Sequence, residues 1–187
     1  MNFSPSGPST GSSYPQNLPP LPQLWIGYVL GFAAIVAEYV AVSLHPEIAK
    51  GERVIAPLYL FLLVFVGIVY WLVCVHRLHM ILKFVPGWKH PISPGRAVGF
   101  HFIPIFYLYW MFKWPLEIAR FVNSRFSQPL MRPYMAGVMM LAAFLIGALF
   151  DPGLALILLF VAISYISACM RRALASLPPP GSSPPLA

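Results

Sequence analysis

One acidic residue, Glu38, lies inside a long apolar stretch of the chain, where ionisable side chains are rare. A carboxyl group at this depth can relay protons or bind a cation, and one held neutral by burial can instead fix helix packing through a hydrogen bond. Near the outer end of the second span, either Tyr59 or Arg53 is placed where it could meet Glu38. The sequence leaves open an ion pathway, a packing contact and a side chain that reaches the interface.

Two histidines, His76 and His79, stand three residues apart near the end of the second apolar stretch, with Cys74 close by. Such a pair on one helix face can bind a metal ion or a cofactor ligated by imidazole. His90 and His101 belong to the same region, but no carboxylate adjoins the pair, and Arg77 beside it is typical of a basic membrane boundary. The identity of any metal stays unknown, the alternative is interfacial hydrogen bonding, and we expect no bound cofactor.

The catalytic motifs that a sequence can reveal are missing. The chain contains no G-x-S-x-G, Walker A, H-E-x-x-H or C-x-x-C motif. Two of its five acidic residues, Glu47 and Glu52, flank Lys50 in a short loop and do not form a carboxylate pair. We therefore predict that the protein is not an enzyme.

Composition and spacing predict an all-α integral membrane protein. The chain is 59% hydrophobic and 9% charged, with a mean hydropathy of +0.75, whereas an average soluble domain is about 45–50% apolar. A helix needs about 20 apolar residues to cross a bilayer. We predict a transmembrane domain over residues 23–175 with four spans, at about 24–44, 54–75, 134–150 and 153–170. The Pro-rich segments 1–22 and 176–187 are predicted to be disordered.

Small residues on the first span predict a close helix contact. Gly27 and Gly31 form a G-x-x-x-G pattern, which lets two helices approach closely in lipid. This helix-packing face has its partner either within the chain or on another protein.

The distribution of basic residues predicts the orientation. With four spans, ten of the twelve Lys and Arg residues fall on one side, and only Lys50 and Arg53 on the other. The positive-inside rule makes the richer side cytoplasmic. Both termini are then cytoplasmic, and we place the protein in the cell inner membrane.

The aromatic segment 97–127 lies between spans two and three. Its first part, residues 97–112, is apolar but only sixteen residues long with Pro104 in the middle, and a fifth span there would separate the charges less well. We predict an interfacial or shallow re-entrant segment. Beyond it, Lys113, Glu117 and Arg120 recur at helical spacing beside an apolar stripe and predict an amphipathic helix.

The same segment carries a recognisable pattern. Residues 92–123 read ISPGRAVGFHFIPIFYLYWMFKWPLEIARFVN, and their interfacial motif consists chiefly of Pro94, Gly95, Gly99, Phe102, Pro104, Phe106, Tyr109 and Trp110. This stretch resembles a family of uncharacterised bacterial multi-pass membrane proteins with a PGxAVGFxFIPxFxxYWxF core. In that family an Asn usually occupies the position of Tyr107. The resemblance implies a bacterial cytoplasmic-membrane protein and implies no activity.

These patterns favour a non-catalytic membrane protein that serves as a subunit, scaffold or accessory protein of a larger membrane complex. One alternative is a small transporter or channel component that uses Glu38. Another is a membrane subunit that binds a cofactor or pigment through His76 and His79. We expect the partners to be the lipid bilayer, anionic headgroups on the basic face, and other membrane subunits or further copies of the chain. The topology accounts for the basic residues, so no nucleic acid is expected.

Overall fold

The computed structural model describes residues 18–46 and 57–177, and these residues form helices joined by turns, with no strand among them. A 3₁₀ turn, Phe100–Phe102, separates the third and fourth helices. The helices are α1 (Leu24–Leu44), α2 (Leu58–Phe84), α3 (Pro94–Gly99), α4 (Phe106–Asn123), α5 (Met135–Leu149) and α6 (Pro152–Ala175).

Local sequence sets several helix ends. The Asp151 carboxylate accepts a hydrogen bond from the Leu154 backbone N–H at 2.7 Å, with Pro152 in the first turn of α6. Ser93 caps α3 in the same way, ahead of Pro94. At its far end α2 stops at Val85, which is extended because Pro86 follows it.

The predicted all-helical architecture is confirmed for the described residues, and three of the helices, α1, α2 and α6, are long and apolar enough to cross a membrane. The helix of the second predicted span runs to Phe84, nine residues beyond the predicted end at 75. Residues 54–56 of that span, segment 1–17 and segment 178–187 lie outside the described residues, as do Lys50 and Arg53.

Helix α1 packs closely against α6, and the two helices run in opposite directions. Gly31 faces Ile157, and Gly153 in the first turn of α6 faces Ile35, where an added Cβ would come within 2.8 Å of the Ile35 backbone nitrogen. Nearer the start of α1, Gly27 lies under the Phe160 ring. The predicted small-residue face therefore has its contact within the chain.

Two further contacts between helices give the directions of α2 and α5. The Tyr70 hydroxyl of α2 donates to the Gln23 carbonyl just ahead of α1 at 2.6 Å, so α2 is antiparallel to α1. Gly147 of α5 packs on Ala155 of α6 across their short turn, so these helices form an antiparallel hairpin. The ends of α2 and α6 and the start of α5 consequently lie at one end of the molecule, with the connecting residues 85–134.

The connector between α2 and α5 folds back along α2. The His101 ring packs edge-on against Trp71, with centroids 4.9 Å apart. Trp71 precedes the end of α2 by 13 residues, a distance of about 20 Å along a helix. The chain then returns through α4 towards the basic end, where the Asn123 side chain bonds both the N–H and the carbonyl of Met131.

The reversal between the two arms of this connector occurs at Ile105. Its φ is 64°, and the Phe106 N–H donates to the Pro104 carbonyl at 2.6 Å, which is the pattern of a γ-turn of the strained hand. A β-branched residue rarely adopts positive φ. The side chain is 86% exposed, so little packing compensates for this strain.

Candidate functional site

A cavity of about 420 Å³ opens on the side of the bundle between α2 and α5. Helix α6 forms its floor with Ala155, Leu156 and Leu159, and the start of the connector's return closes one end. Phe102 and Phe144 line the cavity and are themselves exposed, so the cavity opens sideways and is not sealed inside the protein. Its volume falls in the range of about 300–1,000 Å³ that small-molecule sites occupy.

The polar groups of the cavity gather at the end nearer the basic side of the molecule. Trp71, His101 and Tyr107 meet there, and Tyr107 also packs against Phe144 of α5 at 5.9 Å between ring centroids. The remaining lining side chains are apolar. The cavity therefore has an apolar body and one hydrogen-bonding end.

The geometry of His101 fixes its hydrogen-bonding roles. Its Nδ1 lies 3.3 Å from the Val98 carbonyl, which can only accept, so Nδ1 carries the proton. Burial lowers the pKa of His101 to about 4, against a small opposing effect of the Val98 and Ala97 carbonyls. The ring is then neutral at pH 7, and its Nε2 is a buried acceptor with no protein partner among the described residues.

A second histidine pair lies beyond the cavity, nearer the basic end. His79 is fully buried, and its Nδ1 lies 2.7 Å from the Nε2 of His90. The His79 ring also packs against Trp114, at 5.6 Å between centroids. His76, three residues earlier, is only half-buried, so the structure brings together His79 and His90 where the spacing indicated His76 and His79.

The chemistry of this second pair is restricted. Burial is the main cause that lowers the pKa of His90 to about 4, with a smaller opposing effect of Glu117. Within residues 18–46 and 57–177, no three His, Cys, Asp or Glu side chains are grouped to hold a metal ion. The pair joins the connector to α2 by a hydrogen bond.

Glu117 forms a buried ion pair on α4. It is 4% exposed, and its Oε1 receives both Lys113 Nζ and Arg120 Nη1 at 2.8 Å. Burial acts to raise the pKa of Glu117, but the hydrogen bonds and charges of the two cations outweigh it and leave the pKa below its usual value. The apolar stripe of α4, formed by Trp114, Ile118 and Phe121, is fully buried.

Glu38 lies towards the opposite end of the molecule from His79, His90 and His101. It is half-buried, and its carboxyl group is within hydrogen-bonding reach of Asp151, which caps α6. Tyr59 is exposed on α2. The structure therefore places a second carboxyl group beside Glu38, a partner that spacing along the sequence did not indicate.

The motif residues build the connector. Pro94 and Trp110 are buried, and Trp110 Nε1 donates to the Ala97 carbonyl at 3.0 Å, which ties α4 to α3. Phe106 stacks on Trp110 at 5.9 Å. The other motif residues are exposed on α3, at the turn between the two arms or on the first turn of α4; these are Gly95, Gly99, Phe102, Pro104 and Tyr109. Of the set, Phe102 reaches the cavity.

Sequence reasoning missed Trp71, His101 and Tyr107 as a group, because they come from three different elements. The aromatic density of the connector was the available signal, and it indicated a membrane interface and not a cavity wall. Comparison with models of protein families, with curated proteins and with solved structures found no match for this chain.

Proposed function

We propose that this protein is a non-catalytic, four-span membrane protein that holds a long-chain amphiphile in its lateral cavity, as an accessory subunit of a membrane complex. The observation that carries this proposal is the cavity itself, an apolar slot with one polar end that opens on the side of a bundle of membrane-length helices.

The antiparallel hairpin supports the fourth span. Helix α5 has only 15 residues, which gives about 22 Å of helix against a hydrocarbon core of about 30 Å. It nevertheless packs along α6, which is long enough to cross. Aromatic residues flank α5 at both ends, at Tyr134 and Phe150, and local bilayer thinning accommodates a short span.

Charge supports an orientation with the connector on the cytoplasmic side of the inner membrane. The ten basic residues of the described part lie in the last turns of α2, in the connector or at the end of α6, all towards one end of the bundle. Basic residues concentrate on the cytoplasmic side of membrane proteins and attract anionic headgroups. Both termini then lie on that side.

Depth supports the binding of an amphiphile from the cytoplasmic leaflet. If α2 crosses over about 20 residues from Leu58, it leaves the hydrocarbon near Arg77, and Trp71 lies about 9 Å below that boundary. The part of the connector around His101, which packs on Trp71, is then a shallow re-entrant element. A lipid of the cytoplasmic leaflet has its head above this level and its chain directed to the bilayer centre. The cavity has the same arrangement, with its polar end nearer the cytoplasmic side and its apolar body nearer the bilayer centre.

The test is native mass spectrometry of the protein released from lipid nanodiscs, which retains bound amphiphiles. We expect a long-chain compound on the wild type and its loss from Ala148→Phe, since Ala148 lines the cavity and is exposed, so a larger side chain fills the slot without entering the core. Ala168→Phe, at an exposed position of α6 outside the cavity, is the matched control and should retain the compound. Equal occupancy in both variants would contradict the proposal.

A second candidate function rests on the Glu38 and Asp151 carboxyl groups. Two such groups within hydrogen-bonding reach can share a proton or bind a cation. Proton or cation flux into vesicles that depends on Glu38, and is lost in Glu38→Gln with assembly unchanged, would favour a transport role. Unchanged flux would remove it.

A further inference from the structure

A smaller cavity, of about 160 Å³, lies between the start of α1 and the later half of α2. Gln23 and Ile26 contribute one wall. The other wall is one face of α2, where Tyr70, Cys74 and Arg77 follow each other at helical spacing. The lateral cavity opens on a different face of α2, and the two cavities share no lining residue.

Arg77 gives this smaller cavity a positive charge that no protein group neutralises in the described part of the chain. The ion pairs among residues 18–46 and 57–177 are those of Glu117 on α4, and Arg77 makes no ion pair or hydrogen bond there. Tyr70 and Cys74 both lie within electrostatic range of its guanidinium group, which places that group beside the cavity. The cavity therefore suits a ligand with a negative charge.

The proposed orientation puts this charge at the level of phospholipid headgroups. In that orientation α2 leaves the hydrocarbon near Arg77, and Tyr70, seven residues earlier, lies about 10 Å deeper along the helix. The cavity between them extends from the headgroup level towards the hydrocarbon. Its deeper walls include the apolar side chains of Ile26 and Val73.

The chemistry of the lining restricts the ligand to one class. The planar fork of an arginine matches two oxygens of a phosphate group, which it binds with charge-assisted hydrogen bonds. A neutral lipid offers no charge to Arg77, and a soluble phosphate offers no apolar part to Ile26 and Val73. A phospholipid has both parts, in the order in which the cavity presents their partners.

We propose that the cavity beside Arg77 binds one phospholipid of the cytoplasmic leaflet, with its phosphate on Arg77 and its glycerol esters between α1 and α2. The inference goes beyond the proposed function, because it assigns a second lipid site that is independent of what occupies the lateral cavity. It also differs from the general attraction of anionic headgroups to the basic end, since it depends on one arginine and one cavity.

The experiment is a titration of the delipidated full chain in detergent with dioctanoyl phosphatidylglycerol. Native mass spectrometry then gives the dissociation constant of the most tightly bound lipid. Arg77→Gln should raise this constant about tenfold, because a hydrogen bond to a charged group has at least this size of effect. Arg96→Gln removes the same charge from an exposed position of α3 outside the cavity and should change the constant little.

Two valines of α2 form a matched pair that tests the location. Val73 lines the cavity and Val69, one turn earlier, does not, while the two side chains are 42% and 43% exposed. Val73→Phe should weaken binding because the larger side chain narrows the cavity, and Val69→Phe should leave binding unchanged. Equal effects of the two substitutions would show that the lipid binds elsewhere.

Two competitors separate the phosphate from the chains. Dioctanoylglycerol keeps the chains and lacks the phosphate, whereas inorganic phosphate keeps the charge and lacks the chains. We expect neither compound to displace the bound phospholipid at an equal concentration.

Each contrary result overturns the proposal in a different way. Equal losses of affinity in Arg77→Gln and Arg96→Gln would show that the lipid follows the general basic charge and has no defined site. Displacement by dioctanoylglycerol would show that the chains alone are recognised. Displacement by inorganic phosphate would show that the ligand is a soluble phosphate and not a lipid.

Discussion

At the scale of single residues, the histidines are the clearest case of what spacing can and cannot predict. The sequence correctly singled out the end of α2 as rich in imidazole, and His79 is fully buried there. Its partner, His90, is eleven positions away in the connector, and only the fold of the connector against α2 brings His79 Nδ1 and His90 Nε2 to 2.7 Å. Spacing along one helix cannot reveal such a partner, which is why His76 was favoured.

These histidines predict a pH dependence of stability. An unfolded histidine has a pKa of about 6.5, and burial lowers those of His90 and His101 to about 4. The unfolded chain therefore binds more protons between these values, so we expect the free energy of unfolding to fall as the pH falls from about 6.5 to about 4. His90→Gln and His101→Gln should each flatten the dependence in this window, as measured by denaturant unfolding in detergent. If the stability of both variants depended on pH as that of the wild type does, these histidines would not be the cause of the pH dependence.

Glu117 contributes in a lower pH window, because its pKa is also lowered but starts from the lower value of a carboxyl group. Its pKa is held below the usual value, so its ion pairs stabilise the fold above the unfolded value of about 4.3 and are lost as the pH falls through the folded value. Glu117→Gln should remove the loss of stability below about pH 4 and leave the histidine window unchanged. A flattened histidine window in this variant would show that the two effects are not separate.

The γ-turn at Ile105 gives a test of backbone strain at one residue. Glycine adopts positive φ without a steric penalty, so Ile105→Gly should raise the free energy of unfolding by about 1 kcal/mol, the lower end of the range for such strain. Ile103, two residues earlier, has a φ of −94°, and Ile103→Gly should lower stability because the added backbone freedom has no compensation. Thermal unfolding of the two variants side by side shows whether each change in stability has the expected sign. A loss of stability in Ile105→Gly would show that the backbone at Ile105 is not strained.

At the scale of elements, the small-residue face of α1 was recognisable from the sequence, whereas its partner was not. Gly27 and Gly31 stand out by their spacing, whereas Gly153 is only the first residue of the predicted fourth span. In the structure a Cβ added at Gly153 would come within 2.8 Å of the Ile35 backbone nitrogen, so the two helices approach closely there. Which helix lies opposite α1 depends on how the helices are arranged in the bundle. The composition of α1 alone does not reveal that arrangement.

We expect a substitution of a glycine at the contact between α1 and α6 to destabilise the protein more than a substitution of a motif glycine. Gly153→Ala would put a Cβ 2.8 Å from the Ile35 backbone nitrogen, which cannot move aside, so it should destabilise by about 1–3 kcal/mol or more. Gly99→Ala, where an added Cβ meets nothing within 4 Å, should change stability little. Unfolding in detergent measures both, and equal losses would show that α1 and α6 do not approach as closely as described.

At the scale of the whole molecule, the sequence predicted the helical class and the membrane-length helices because both follow from composition over long windows. It did not predict the lateral cavity. That space results from the placement of α2 and α5 on the same floor, α6, with the connector folded between them. Such an arrangement depends on contacts between distant segments.

The four-span topology predicts which single cysteines react from outside an intact cell. The native Cys74 and Cys169 are buried and free, and are replaced by Ser in the background. Phe150→Cys, at the exposed turn opposite the basic end, should react with an impermeant maleimide in intact cells. Ser127→Cys, in the exposed connector, should react only after the membrane is opened. The reverse pattern, or equal labelling, would contradict the orientation.

The most direct test of the amphiphile site is to map where a photoactivatable long-chain alcohol, with its diazirine in the chain, attaches to the protein in nanodiscs. Peptide mass spectrometry should locate the label on cavity-lining residues of three helices, Leu72, Phe144 and Leu159. Attachment only to the outward faces of α1 and α2, for example at Phe32 and Phe65, would show that the probe behaves as bulk lipid and that the cavity holds no amphiphile.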